Sequence, residues 1–143
     1  MKPAEWALLE TFSFGDSPEL AEELADLVLA GKKTATCWPA SEGEKTKIGK
    51  KMVMLDGSGV PAAVLETVEL TKQRFDQVDS AFACDEGEGD RSLDYWRIAH
   101  RRYFTRQGVF SPDMELWCER FRIVVRLTER SAKIPDGAAL DGA

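Results

Sequence analysis

Residues 17–38, SPELAEELADLVLAGKKTATCW, carry a helix into a strand through one glycine, and that junction decides the fold. Ser17 is a good N-cap, Pro18 suits the first helical position, and Glu19 meets the positive end of the helix dipole. Leu20, Leu24, Leu27 and Val28 recur at helical spacing, while Glu22, Glu23 and Asp26 fall off that stripe. Gly31 stops the helix, and Lys32 and Lys33 follow where the dipole favours cations. Beyond them TATCW (34–38) reads as a short strand ended by Pro39.

On the N-terminal side, PAEWALLET (3–11) reads as a short helix with Trp6 and Leu9 on one face and Phe12 continuing it. On the other side, SEGEKTKIGKK (41–51) is a polar, lysine-rich loop. KMVMLD (51–56) and VPAAVLETVEL (60–70) form a β-hairpin about Asp56-Gly57-Ser58-Gly59. QVDSAFACDEGEGD (77–90) is turn-rich and acidic. SLDYWRIAHRRYFTRQG (92–108) predicts a third helix, capped by Ser92, with Leu93, Trp96, His100 and Tyr103 on one stripe. MELWCERFRIVVRL (114–127) predicts a long strand, Phe121, Ile123, Val125 and Leu127 alternating with Arg120, Arg122, Val124 and Arg126. So few helices between strands argue against a regular parallel βαβ sheet. The expected class is α+β, a small, mostly antiparallel sheet or barrel with flanking helices. One domain is expected over residues 1–130, with a disordered tail over 131–143 that has little to bury.

The chain has 143 residues, 43% apolar and 31% charged, enough to bury a core without disulfides or a structural metal. Cys37, Cys84 and Cys118 are odd in number and far apart, and His100 is the single histidine, so no metal and no other cofactor is expected. No apolar run reaches membrane-spanning length and the start lacks a signal-peptide pattern, so a cytoplasmic location without membrane partners is expected. The net charge of −6 is unevenly spread: residues 1–30 carry −6, 31–51 carry +4, and 91–106 carry +4. Proteins that coat long nucleic acid are usually basic overall, which this chain is not, although a local basic groove remains open.

GKKTAT (31–36) is not a phosphate-binding P-loop, which needs an earlier glycine and must open a helix rather than end one. Read locally, it is a glycine cap, two dipole-matched lysines and a β-branched strand. Yet Gly31, Lys33 and Thr36, set directly after an acidic amphipathic helix, resemble the G-x-K-x-x-T signature of the ASCH domain family. The likeness extends over FGDSPELAEELADLVLAGKKTATC (14–37), the hairpin region and FACDEGEGDRSLDYWRIAHRRYF (82–104), together covering residues 12 to 127. The resemblance implies a PUA-like β-barrel and RNA or nucleoside chemistry. Small bacterial members hydrolyse the acetyl amide of N4-acetylcytidine, and others are described as ribonucleases or RNA-binding modules. Carried onto this chain, the catalytic set is Lys33, Thr36 and a glutamate of the acidic segment, Glu86, with Glu88 as the near alternative.

Amide hydrolysis needs a nucleophile, a proton carrier and a stabiliser for the oxyanion. A lysine is a base only if its pKa falls; otherwise it is a cation aimed at developing negative charge. Lys33 and Thr36 are three apart, so they converge only if the chain turns between them. Lys32, Thr34, Trp38, Glu88, Tyr95 and His100 complete the candidate substrate-binding set. Trp38 and Tyr95 can stack on a base, though aromatics in small domains are commonly core. His100 on its apolar stripe reads as a core or rim histidine, with a nuclease proton carrier as the second reading. Behind these stand Glu66, on the Val64, Val68 and Leu70 face, where edge exposure is a commoner explanation than a place in the site, and Arg97, Arg101, Arg102 and Arg106, wound around the third helix. The partner that the resemblance implies is a nucleoside or RNA.

Overall fold

The structure, a computed structural model, describes residues 2–128. Helix α1 spans Pro3–Trp6, strand β1 Thr11–Phe12 and helix α2 Pro18–Leu29; β2 (Ala35–Pro39), β3 (Lys51–Leu55) and β4 (Pro61–Arg74) follow. Helices α3 (Ser80–Glu86) and α4 (Leu93–Arg106) precede the last strand, β5 (Glu115–Arg126). The strands form one sheet in the order β1-β3-β4-β5-β2, antiparallel except for β1 against β3.

The α+β class and the mostly antiparallel sheet stand as expected; the closed barrel does not. Strands β1 and β2 are opposite edges of the sheet and do not pair. Strand β1 is only two residues long, and a pocket described below is lined by residues of all five strands. Register shifts on β4 at Val64/Leu65 and Thr67/Glu69 strengthen the local twist.

Two further expectations change. The N-terminal helix stops at Trp6, and Phe12 instead joins β1 and pairs with Met54 of β3, because the sheet offers hydrogen bonds that a one-turn helix lacks. The acidic stretch is not all turn: the Asp79 side chain accepts a hydrogen bond from Phe82 N (2.9 Å), capping α3, and Phe82, Ala83 and Glu86 are buried. The predicted tail lies outside the described residues.

The helix of the opening stretch is capped as its residues demand, Ser17 Oγ accepting from Leu20 N at 3.1 Å. Its apolar face packs Leu20, Leu24, Leu27 and Leu29 with Met54, Leu65 and Phe121 of the sheet. A second cluster joins Phe82, Trp96 and Phe104 to Cys37, Leu116 and Cys118. The stripe expected on α4 is displaced by one position at its end, where Phe104 is buried and Tyr103 only half-buried. No helix among the described residues is long and apolar enough to cross a membrane.

Candidate functional site

The turn after α2 places the motif lysine. Gly31 has φ +76°, and Lys32 N and Lys33 N both donate to Leu27 O, at 3.0 and 3.1 Å. The chain therefore bends before β2 begins, and the Lys33 side chain goes inward. Its Nζ donates to Ala35 O at 2.8 Å and Glu86 Oε1 at 3.1 Å, and lies 3.7 Å from Glu88 Oε1. A buried ammonium needs such partners.

The end of helix α3 and the residues just after it supply the two carboxylates, because the C-terminus of α3 is latched to the same turn. Thr34 N donates to Asp85 O at 2.7 Å, and Arg120 of β5 joins Asp85 (3.0 Å) to Glu69. Gly87, at φ +78°, ends the helix against the Lys32 carbonyl; a Cβ there would stand 2.3 Å from that oxygen. Glu86 Oε2 accepts from Trp96 Nε1 at 2.7 Å. His100 stacks on Trp96, sets Nδ1 2.9 Å from Trp96 O, and brings Nε2 to 3.4 Å from Glu86 Oε2 without hydrogen-bond alignment.

Lys33 (1%), Glu86 (0%), Glu88 (3%) and His100 (0%) are thus sealed in one cluster. Burial alone would raise Glu86, but the Lys33 and His100 charges hold it down at about 2. Burial would lower Lys33 and His100, and in both the carboxylates win, so both are shifted up. Burial pushes Glu88 up to about 7, aided by Glu86 and only partly opposed by Lys33 and His100. Both Glu88 oxygens lack a hydrogen-bond partner among the described residues.

Cys37, Glu86 and His100 bring three donor atoms within 4.8 Å. They suit a metal poorly: the Glu86 oxygens are taken by Lys33 and Trp96, and burial raises the Cys37 thiol well above its ordinary value, away from the thiolate a metal needs.

The other half of the site is a pocket of about 600 Å³ lined by residues of all five strands. Phe12 and Phe14 line one side, Thr36 and Trp38 the other, and Thr67, Glu119 and Phe121 are among its remaining walls. Trp38 Nε1 donates to Gly43 O at 2.8 Å, which fixes the ring in the wall. The predicted set is therefore divided. Lys33, Glu86, Glu88 and His100 meet out of solvent and do not line the pocket; Thr36 and Trp38 line it. Two residues join the halves: Lys33 Nζ lies 5.3 Å from the centre of the pocket-lining Phe14 ring, and Cys37, which lines the pocket, brings its donor atom within 4.8 Å of those of Glu86 and His100.

Lys32 and Thr34 are exposed, Thr34 Oγ1 donating to Asp85 O at 3.4 Å, and Tyr95 packs over Gly89; none of the three lines the pocket. Glu66 is not in the site either: it pairs outward with Arg122 at 2.6 Å and Lys51 at 3.7 Å.

Sequence reasoning missed a hydroxyl–carboxylate line in the pocket. Thr46 and Thr67 hydroxyls lie 2.7 Å apart, and Thr67 Oγ1 donates to Glu119 Oε2 at 2.6 Å. The signal was present: Glu119 shares the strand register of Phe121 and Ile123, an acid on an inward face.

Fold and site together define a small α+β domain whose open sheet lines a pocket, backed by a buried lysine–carboxylate cluster. The sequence model of the ASCH domain matches residues 10–125, and the chain belongs to the ASCH domain family. The crystal structure of an ASCH domain from Lactobacillus crispatus JV V101 is 34% identical over 85% of this chain and 82% of that one, with a TM-score of 0.76. A protein from Enterococcus faecalis V583 is 35% identical over 84% of this chain and 78% of its own, with a TM-score of 0.74. No curated protein matches the chain.

Proposed function

We propose that the protein hydrolyses the acyl amide of a small acylated nucleoside, N4-acetylcytidine being the test substrate. The observation that carries this reading is the pairing of Lys33 with Glu86 behind the strand that sets Thr36 in the pocket wall. The volume, about 600 Å³, is that of a small-molecule site, and the aromatic rings with a few polar groups suit one base and its sugar.

The roles follow from the charges. Lys33 stays an ammonium, so it is no base; its positive charge beside the pocket favours the oxyanion that forms on the acyl carbonyl. Glu86 holds that ammonium and, at about 2, is itself a weak base. Thr36 contributes the hydroxyl that meets the acyl group, and Trp38 a face for the base. Purified protein is expected to release cytidine from N4-acetylcytidine, with turnover at least about 100-fold lower in Thr36→Val and Lys33→Ala. Absence of turnover in the wild type sinks the reading.

A second reading, an RNA-binding module, has one observation of its own. On α4, Ile98, Arg101, Arg102, Thr105 and Arg106 line a shallow concavity that suits phosphates. The loop lysines support it less, since Lys45 pairs with Glu42, Lys50 with Glu10 and Lys51 with Glu66. Salt-sensitive RNA binding lost in Arg101→Ala/Arg102→Ala is its test. A ribonuclease gains no proton carrier from His100, which is sealed from the pocket.

A further inference from the structure

The roles above leave the hydrolysis without a base, since Lys33 remains charged and Glu86 is committed to it. Glu88 titrates in a suitable range but does not line the pocket, and a base must first be within reach of the proton it takes.

Glu119 meets that geometric demand. In the β2–β5 ladder Thr36 is paired directly with Glu119, so the two side chains share a face, with Cβ atoms about 5 Å apart. Both line the pocket. No hydrogen bond joins them among the described residues, and the spacing suits a water held between hydroxyl and carboxylate. Glu119 is also held in place: Thr67, buried, donates to its Oε2, while Thr67 in turn contacts the Thr46 hydroxyl. Among the described residues Oε1 has no hydrogen-bond partner. Burial raises the Glu119 carboxyl, and the Thr67 hydroxyl and Lys33 charge offset part of that rise.

We propose that Glu119 is the general base of this pocket, oriented by Thr67 and Thr46; the proposal rests on the amidohydrolase reading. Glu119 Oε1 takes a proton from the water as its oxygen bonds to the acyl carbon, and the carbonyl electron pair moves onto oxygen. On collapse the C–N bond breaks, its electron pair stays on the exocyclic nitrogen, and that nitrogen takes the proton back from Glu119. The products are the amino nucleoside and a carboxylic acid, which ionises.

The test uses the full chain with N4-acetylcytidine, in wild type, Glu119→Gln, Thr67→Val and Glu88→Gln, with folding followed by circular dichroism. Glu119→Gln is expected to fold, to lower kcat at least about 100-fold and to change KM less than about threefold. Glu119→Asp should recover part of kcat. The charged and titratable groups around Glu119 are Lys33 from the α2–β2 turn, Cys37 of β2, Glu44 and Lys45 from the loop after β2, the Glu10–Lys50 pair, and Tyr103 of α4. Wild-type kcat/KM should rise with pH on a limb above the ordinary glutamate range, and Thr67→Val should move that limb further up. Glu119→Gln within about threefold of wild type, or loss confined to Glu88→Gln, overturns the assignment while leaving the amidohydrolase reading intact. A wild type inert on N4-acetylcytidine overturns both.

Discussion

Lys33 carries three hydrogen-bond acceptors within a space that excludes water: Ala35 O, Glu86 O and Glu86 Oε1. Removing one partner of such a pair strands the other charge, so Lys33→Ala is expected to lose about 3–5 kcal/mol of stability, measured by urea unfolding. Glu88 pulls the other way. Its folded pKa, about 7, lies above the unfolded value, so between about 4.5 and 7 the native state holds a proton that the unfolded chain has released. The stability contributed by that proton is full below about 4.5 and is lost as pH rises through 7. Glu88→Gln keeps the shape without the titration. Its melting temperature at pH 8 is expected to equal or exceed that of wild type, and a fall of several degrees refutes the assignment. Glu86 has the opposite sign: its ionised form stabilises above about 4.5, and that stability drains away as pH falls towards 2.

At the scale of elements, the site depends on the α2–β2 turn and the end of α3 being pressed together. Two glycines allow this for different reasons. Gly31 has φ +76° but open space where a side chain would go, so Gly31→Ala meets only left-handed strain, about 1–2 kcal/mol. Gly87 has φ +78° and the Lys32 carbonyl 2.3 Å from the place of a Cβ. Gly87→Ala must therefore part α3 from the turn and pull Glu86 off Lys33. Its loss of stability is expected to exceed that of Gly31→Ala by at least about 1 kcal/mol, checked by denaturant midpoints of the two variants.

For the whole molecule, the consequential feature is that the sheet stays open. The two edge strands do not pair, and the pocket takes Phe12 and Phe14 from one edge region, Thr36 and Trp38 from the other, and further walls from the strands between. Trp38→Ala removes a pocket wall without touching the lysine cluster, so it is expected to raise KM at least about tenfold and to move kcat less, measured in the same cytidine-release assay. The arginine face of α4 lines a separate concavity. Arg101→Ala/Arg102→Ala is accordingly expected to leave nucleoside turnover within about twofold of wild type while weakening any RNA binding.

The sequence by itself determined the elements whose signals are local. Ser17 and Pro18 start a helix, Leu20 to Val28 give it a buried stripe, Gly31 ends it, and Asp56 to Gly59 turn the hairpin, because caps, periodicity and turns act over a few residues. Likeness to a family motif also made Lys33 and Thr36 candidates, and the acidic segment offered Glu86 with Glu88 as its alternative. Only the tertiary structure decided that β1 and β2 remain apart, that α3 forms beneath Lys33, and that Glu119 faces Thr36. Each of these depends on residues tens of positions apart meeting across strands or against a helix end. Whether a carboxylate is sealed against an ammonium or set beside a hydroxyl in a pocket is fixed by packing and desolvation, which no local pattern encodes.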